Sequence, residues 1–118
     1  MSQPSLTLQV LPKDEILRIL RAELPYLRER FGVTRLAIYG SFARGEPDLD
    51  SDVDLLVELS RPLGLKFVEL AYYLEEKLGL QVDLATFEAL QRTAQKPYRR
   101  ALVAGVQEDL IDVETATR

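Results

Sequence analysis

The apolar residues in the first third of the chain change period abruptly. Ile16, Ile19, Leu20, Leu24, Leu27 and Phe31 recur at helical spacing, and directly after Gly32 the run Val33-Thr-Arg-Leu-Ala-Ile-Tyr39 reads as a short β-strand. A helix with one apolar stripe next to a strand calls for a helix packed on a sheet. Asp14 is expected to cap this first helix, Pro25 to kink or restart it, and Gly32 to end it. Beyond an acidic loop, Val53–Leu59 reads as a second strand. Residues 65–78 read as a helix, with Phe67, Leu70, Ala71, Leu74 and Leu78 on one face and Gly79 just past its end. Gln81–Thr86 reads as a third strand. From Arg92 the pattern weakens: Pro97 could open a helix to about Ala104, and Leu110–Val113 could form a last short strand. Residues 1–12 read as a loose leader, or an edge strand over Leu6–Leu11, and 114–118 as a loose end. The expected order is helix, strand, strand, helix, strand, helix. That order describes an α+β domain: a small mixed sheet with flanking helices.

At 118 residues the chain is expected to form one domain with its core over about 14–113, and no internal repeat or linker interrupts it. Apolar residues are 47% and charged residues 29%, which is enough to bury a core. Cysteine and histidine are both absent. Disulfides, thiol nucleophiles, Cys-type zinc sites, imidazole bases and Ser-His-Asp triads are therefore excluded. Any chemistry must come from carboxylates and from backbone that binds phosphate. The net charge of −4 does not suggest a broad footprint for nucleic acid, although eleven of the fifteen basic residues are arginine. No segment has the length of a membrane span and the N-terminus lacks a signal-peptide pattern, so a cytoplasmic location is expected.

Three pieces of sequence carry candidate chemistry. The first, Gly40-Ser41-Phe42-Ala43-Arg44-Gly45, follows a strand directly. Its glycines let the backbone turn tightly and offer N–H groups and the Ser41 hydroxyl to phosphate oxygens; the plainer reading is a strand-to-helix turn. It is not a P-loop, because Glu46-Pro47 stands where the lysine is required. The second piece, Ser51-Asp52-Val53-Asp54, closes a run of five carboxylates at alternate positions: Glu46, Asp48, Asp50, Asp52 and Asp54. Period-2 geometry points Asp52 and Asp54 to one side, where they are either a solvated loop end or a clamp for hard divalent cations. The third is Asp83 within Val82-Asp83-Leu84. If its strand lies beside Val53–Leu59, Asp83 can face the other two, and three such carboxylates could hold two metal ions for in-line transfer at phosphorus. A satisfied edge-strand aspartate is the alternative.

Gly40-Ser41, ten intervening residues and Asp52-Val53-Asp54 together resemble the signature of nucleotidyltransferases related to DNA polymerase β. The string GSFARGEPDLDSDVDLLVE resembles the minimal nucleotidyltransferases in particular, small cytoplasmic proteins that are frequently antitoxins paired with a HEPN-domain toxin. The resemblance spans about residues 14–113. It implies the polymerase β-like nucleotidyltransferase core and transfer of AMP from ATP with Mg²⁺, two ions being expected. Ser41 and the loop amides from Gly40 would hold the β- and γ-phosphates, and Asp52 and Asp54 would bind Mg²⁺. Asp83 would help bind the catalytic metal and draw the proton from the acceptor hydroxyl. Arg44 would be either a supporting phosphate ligand or a surface cation balancing the neighbouring acids.

Size narrows the acceptor. Larger relatives carry an added substrate domain, whereas this chain has little beyond the core, so the acceptor is expected to bring its own recognition surface. The resemblance points to a tyrosine hydroxyl on a HEPN toxin. The alternatives are a binding module that masks its partner without turnover, and nucleotidyl transfer to a small molecule of the aminoglycoside kind.

Overall fold

The computed structural model describes residues 12–47, 51–95, 105–106 and 108–114. Its elements run α1 (Lys13–Phe31), β1 (Val33–Tyr39), α2 (Gly40–Arg44), β2 (Val53–Leu59), α3 (Lys66–Leu78), β3 (Val82–Thr86), α4 (Phe87–Ala94) and β4 (Ile111–Asp112). The expected α+β class, a mixed sheet with flanking helices, is what forms. The expected edge strand over Leu6–Leu11 and helix over Pro97–Ala104 lie outside the described residues.

Helix α1 departs from expectation at two points. Pro12, not Asp14, occupies the N-cap and no side chain caps it; Asp14 sits in the first turn, where its charge faces the positive end of the helix. Pro25 does not restart the helix, which runs unbroken from Lys13 to Phe31. Pro25 is exposed while Leu24 and Leu27 beside it are buried, so the missing N–H orphans one carbonyl and the packed stripe keeps the helix together. Gly32 ends α1 at φ 70°, its N–H returning to the carbonyls of Arg28 and Leu27.

The sheet order is β3-β2-β1-β4. Strand β1 is antiparallel to β2 and to β4, whereas β2 and β3 are parallel and joined through α3. Alternation divides the strands into two faces. Leu36, Ile38, Val53, Leu55 and Val57 point to the side packed by the apolar stripes of α1 and α3, including Leu20, Leu27, Leu70 and Leu74. The other face carries Ala37 and Tyr39 of β1, Asp54 and Leu56 of β2, and Asp83 and Ala85 of β3. Ala37 and Leu56 are buried there as well. Helix α4 packs against β2 and β3, and the Arg35 guanidinium lies 4.3 Å from the Phe87 ring while its Nε donates to Asp112 at 2.8 Å. These contacts gather one end of the face around α4. The other end carries the carboxylates.

Two helices were not expected from the sequence. α2 is a single short helix within what read as a loop, and α4 begins directly after the last residue of β3 with no connecting loop. Thr86 caps α4 by accepting from the Ala89 N–H at 3.0 Å. The last strand appears as Ile111–Asp112 inside the expected 110–113.

Candidate active site

The end of β1 sets the geometry of the site. Tyr39 leads into Gly40, which adopts φ +76°. A β-carbon built on Gly40 would stand 2.2 Å from Asp54 Oδ2. Glycine is therefore needed twice over, for the left-handed backbone and for the space beside the Asp54 carboxylate. The chain then winds into α2, with Phe42 and Ala43 buried, and Gly45 turns it out again at φ 75°. The Glu46 N–H closes that turn on the Ser41 carbonyl at 2.9 Å. Ser41 itself is half-buried in the first turn, where backbone N–H groups have no partner within the helix.

Register aligns the acids. Tyr39 pairs with Asp54 across β1 and β2, and Asp54 pairs with Asp83 across β2 and β3. The three side chains form a row over three neighbouring strands on one face. Asp52 precedes β2 and is exposed. Asp54 is half-buried, and its carboxyl is pushed up to about 6 by burial and then by the charges of Asp83 and Asp52, with Arg44 pulling the other way. Tyr39 is pushed up to about 12 by burial, then by Asp54 and Asp83, so its phenol stays protonated at neutral pH. These mutual effects place Asp52, Asp54 and Asp83 in one electrostatic neighbourhood. Among the described residues, however, no three acidic side chains are gathered tightly enough to hold a metal ion as they stand.

Arg44 lies at the rim of this neighbourhood. Its Nη1 donates to Asp109 Oδ2 at 2.9 Å and its Nε approaches Glu46 Oε1 at 3.6 Å. Of the acids Arg44 was expected to balance as a surface cation, Glu46 is beside it, while Asp48 and Asp50 lie outside the described residues. Asp109 was not anticipated as its partner.

Residues 20–106 match the nucleotidyltransferase domain family. The chain belongs to that family. This nucleotidyltransferase is 46% identical over 95 residues to protein adenylyltransferase MntA of Thermococcus cleftensis, a match covering 80% of this chain and 96% of that protein. A solved structure provisionally described as a minimal nucleotidyltransferase aligns at a TM-score of 0.63 with 33% identity, covering 86% of this chain and 95% of the other. A toxin–antitoxin crystal structure with AMP-PNP has the same fold, at a TM-score of 0.56, 23% identity and coverage of 87% and 73%.

Two residues beside the acid row escaped sequence reasoning. Tyr39 read only as the end of a strand, although alternation from the Asp54 register puts it on the acid face. Asp109 carried no signal at all, because its contact with Arg44 spans 65 residues of sequence. A cleft of about 510 Å³ opens at the far end of β2, between residues 57–64 and α4, and none of the three aspartates lines it. Arg92 on its wall pairs with Glu88 at 3.3 Å. The acid row, with its opposed carboxylates and forced glycine, has the stronger claim to chemistry. Among the described residues no helix is long and apolar enough to cross a membrane.

Proposed function

We propose that this nucleotidyltransferase transfers AMP from ATP to a hydroxyl of a partner protein, a tyrosine of a HEPN-domain toxin, and so acts as a cytoplasmic antitoxin working as one domain. The observation that carries this reading is the register of Asp54 against Asp83, with Gly40 pressed onto the Asp54 carboxylate. Its support outside the chain is the 46%-identical relative named as a protein adenylyltransferase. Related folds solved as toxin–antitoxin complexes, one with AMP-PNP, suggest the kind of partner and nucleotide.

The donor set suits Mg²⁺. A carboxyl raised first by burial and then by two neighbouring carboxylates is stabilised in its charged form by a hard divalent cation, which takes oxygen ligands and removes the repulsion. Asp52, Asp54 and Asp83 would hold it; when bound it neutralises charge on the triphosphate and on departing pyrophosphate. The chain's own residues do the rest. Gly40 lets the backbone approach the phosphates, Ser41 and the first amides of α2 hold the β- and γ-phosphates, and Arg44 adds a cation at the rim. The acceptor oxygen attacks the α-phosphorus as its proton passes to Asp83. A new O–P bond forms, the bond from the α-phosphorus to the bridging oxygen breaks, and pyrophosphate leaves. With no cysteine or histidine to carry AMP, the transfer is direct. Catalysis rests on positioning and charge neutralisation.

The test is to incubate the protein with isotopically labelled ATP, Mg²⁺ and the protein encoded beside it, then to locate the label by mass spectrometry. Addition of AMP to a partner tyrosine, lost in Asp83→Asn and without Mg²⁺, is the expected result. Tight binding that neutralises the partner with no mass added would mean masking, not catalysis.

A further inference from the structure

Arg44 is the cation that the structure brings to the acid row, and it is already occupied. Its Nη1 holds Asp109 Oδ2 at 2.9 Å and its Nε lies 3.6 Å from Glu46 Oε1. The two acids differ in origin. Glu46 follows Arg44 by two residues and moves with the same turn, whereas Asp109 belongs to the distant segment that leads into β4. Asp109 is the less exposed of the two, with 27% of its side chain accessible against 74% for Glu46. The segment beyond Asp109 is held independently of Arg44. Asp112 accepts from Arg35 Nε at 2.8 Å, the Val113 N–H bonds the Leu36 carbonyl at 2.9 Å, and Arg28 reaches Glu114 at 2.9 Å. Breaking the Asp109 contact therefore leaves β4 in place, and Asp109 is free to serve the site.

We propose that Asp109 is a positioning residue that sets ATP affinity by competing with the triphosphate for the Arg44 guanidinium. The inference rests on the nucleotide reading given above, in which Arg44 is a phosphate ligand. A guanidinium binds carboxylate and phosphate through the same planar fork, so the two anions are alternatives for the same N–H groups. Asp109 occupies part of that fork and neutralises its charge. A phosphate must displace the carboxylate, or share the fork with it against the repulsion of two like charges. The pair is partly exposed, so the competition is modest.

The experiment is calorimetric titration of ATP with Mg²⁺ into the full chain as wild type, Asp109→Asn, Arg44→Ala and the double variant. The asparagine keeps the shape of Asp109 and removes its charge. D109N is expected to lower the Kd for ATP by about two- to fivefold, in keeping with a partly exposed ion pair. R44A is expected to raise it, and D109N added to R44A to change nothing further. A merely structural Asp109 would not show that dependence on Arg44. Unchanged or weaker binding in D109N overturns the competition, and an equal gain in the R44A background reduces Asp109 to general repulsion. A wild-type chain that binds no ATP, while remaining folded by circular dichroism, overturns the nucleotide reading itself and this inference with it.

Discussion

Replacing Asp54 with asparagine tests the electrostatics of the site without any substrate. The Asp54 carboxyl is raised from 3.8 to about 6, first by burial and then by Asp83 and Asp52. At about 1.36 kcal/mol per pKa unit, that difference corresponds to roughly 3 kcal/mol of penalty for holding the ionised form in the folded chain. Half of the group faces solvent, so screening leaves about 1–2 kcal/mol. The direction follows from linkage. With its folded pKa above its unfolded value, Asp54 favours the native state most below about pH 4, and that contribution is lost as pH rises through about 6. Asp54→Asn does not titrate. In chelator-treated protein at pH 7.5 it should therefore be more stable than wild type by about 1–2 kcal/mol, or roughly 4–8 °C in melting temperature. The advantage should shrink toward zero as pH falls from 6 to 4. Urea unfolding of both proteins, followed by circular dichroism across that range, reads the difference. A constant difference at all pH values, or a less stable D54N at pH 7.5, would refute the reasoning.

Gly40→Ala should lose at least about 1–2 kcal/mol from the left-handed backbone alone, and more from the β-carbon driven to 2.2 Å from Asp54 Oδ2; adding Asp54→Ala should recover the second part but not the first, as a double-mutant cycle would show. Mg²⁺ should raise the melting temperature of the wild type, and further with ATP, by mass action, with little response in Asp54→Asn. A wild type indifferent to both would remove the cation reading. Ser41→Ala should weaken ATP binding in calorimetry while leaving the Mg²⁺ shift without nucleotide intact. Thr86→Ala should cost about 1 kcal/mol in urea unfolding, because the Ala89 N–H loses its cap at the start of α4; an unchanged midpoint would mean that water replaces the cap freely.

The parts of the fold that a sequence shows best are those whose side chains repeat with a period. Helices α1 and α3 bury one apolar stripe each and strands β1 and β2 carry near-continuous apolar runs, so their apolar residues mark them within a residue or so at each end. Local rules misread α1 where packing overrode them. Pro25 has a strong local preference against a helix interior, but it acts on one exposed turn while Leu24 and Leu27 hold the opposite side. The missed helix α4 left a mark in Thr86, whose hydroxyl caps it. The mark was hidden because β3 and α4 abut, and a strand pattern was still being read at the residue that starts the helix. Helix α2 is too short for any periodicity to register.

The site divides along the same line, between what lies close in sequence and what only the sheet brings together. Gly40, Ser41, Asp52 and Asp54 sit at fixed short offsets, so their spacing was visible. Asp83 could be named from its chemistry, an acid inside an apolar strand, but its placement needed β3 to lie parallel beside β2. That pairing follows from the crossover through α3 and sets Asp83 directly opposite Asp54. The same register explains why Gly40 is constrained. β1 delivers Tyr39 opposite Asp54, so the next residue must turn away while passing the Asp54 carboxylate, and only a residue without a side chain can do so. The glycine and the aspartate are thus one feature seen from two strands. A substitution at either should alter the properties of the other. Arg44 and Asp109 lack any such periodic frame: their contact joins α2 to the segment before β4, and no spacing rule links residues 65 apart. A row of acids assembled on adjacent strand ends can be anticipated from its motifs, whereas the Arg44–Asp109 contact at its rim joins distant parts of the chain and has to be seen.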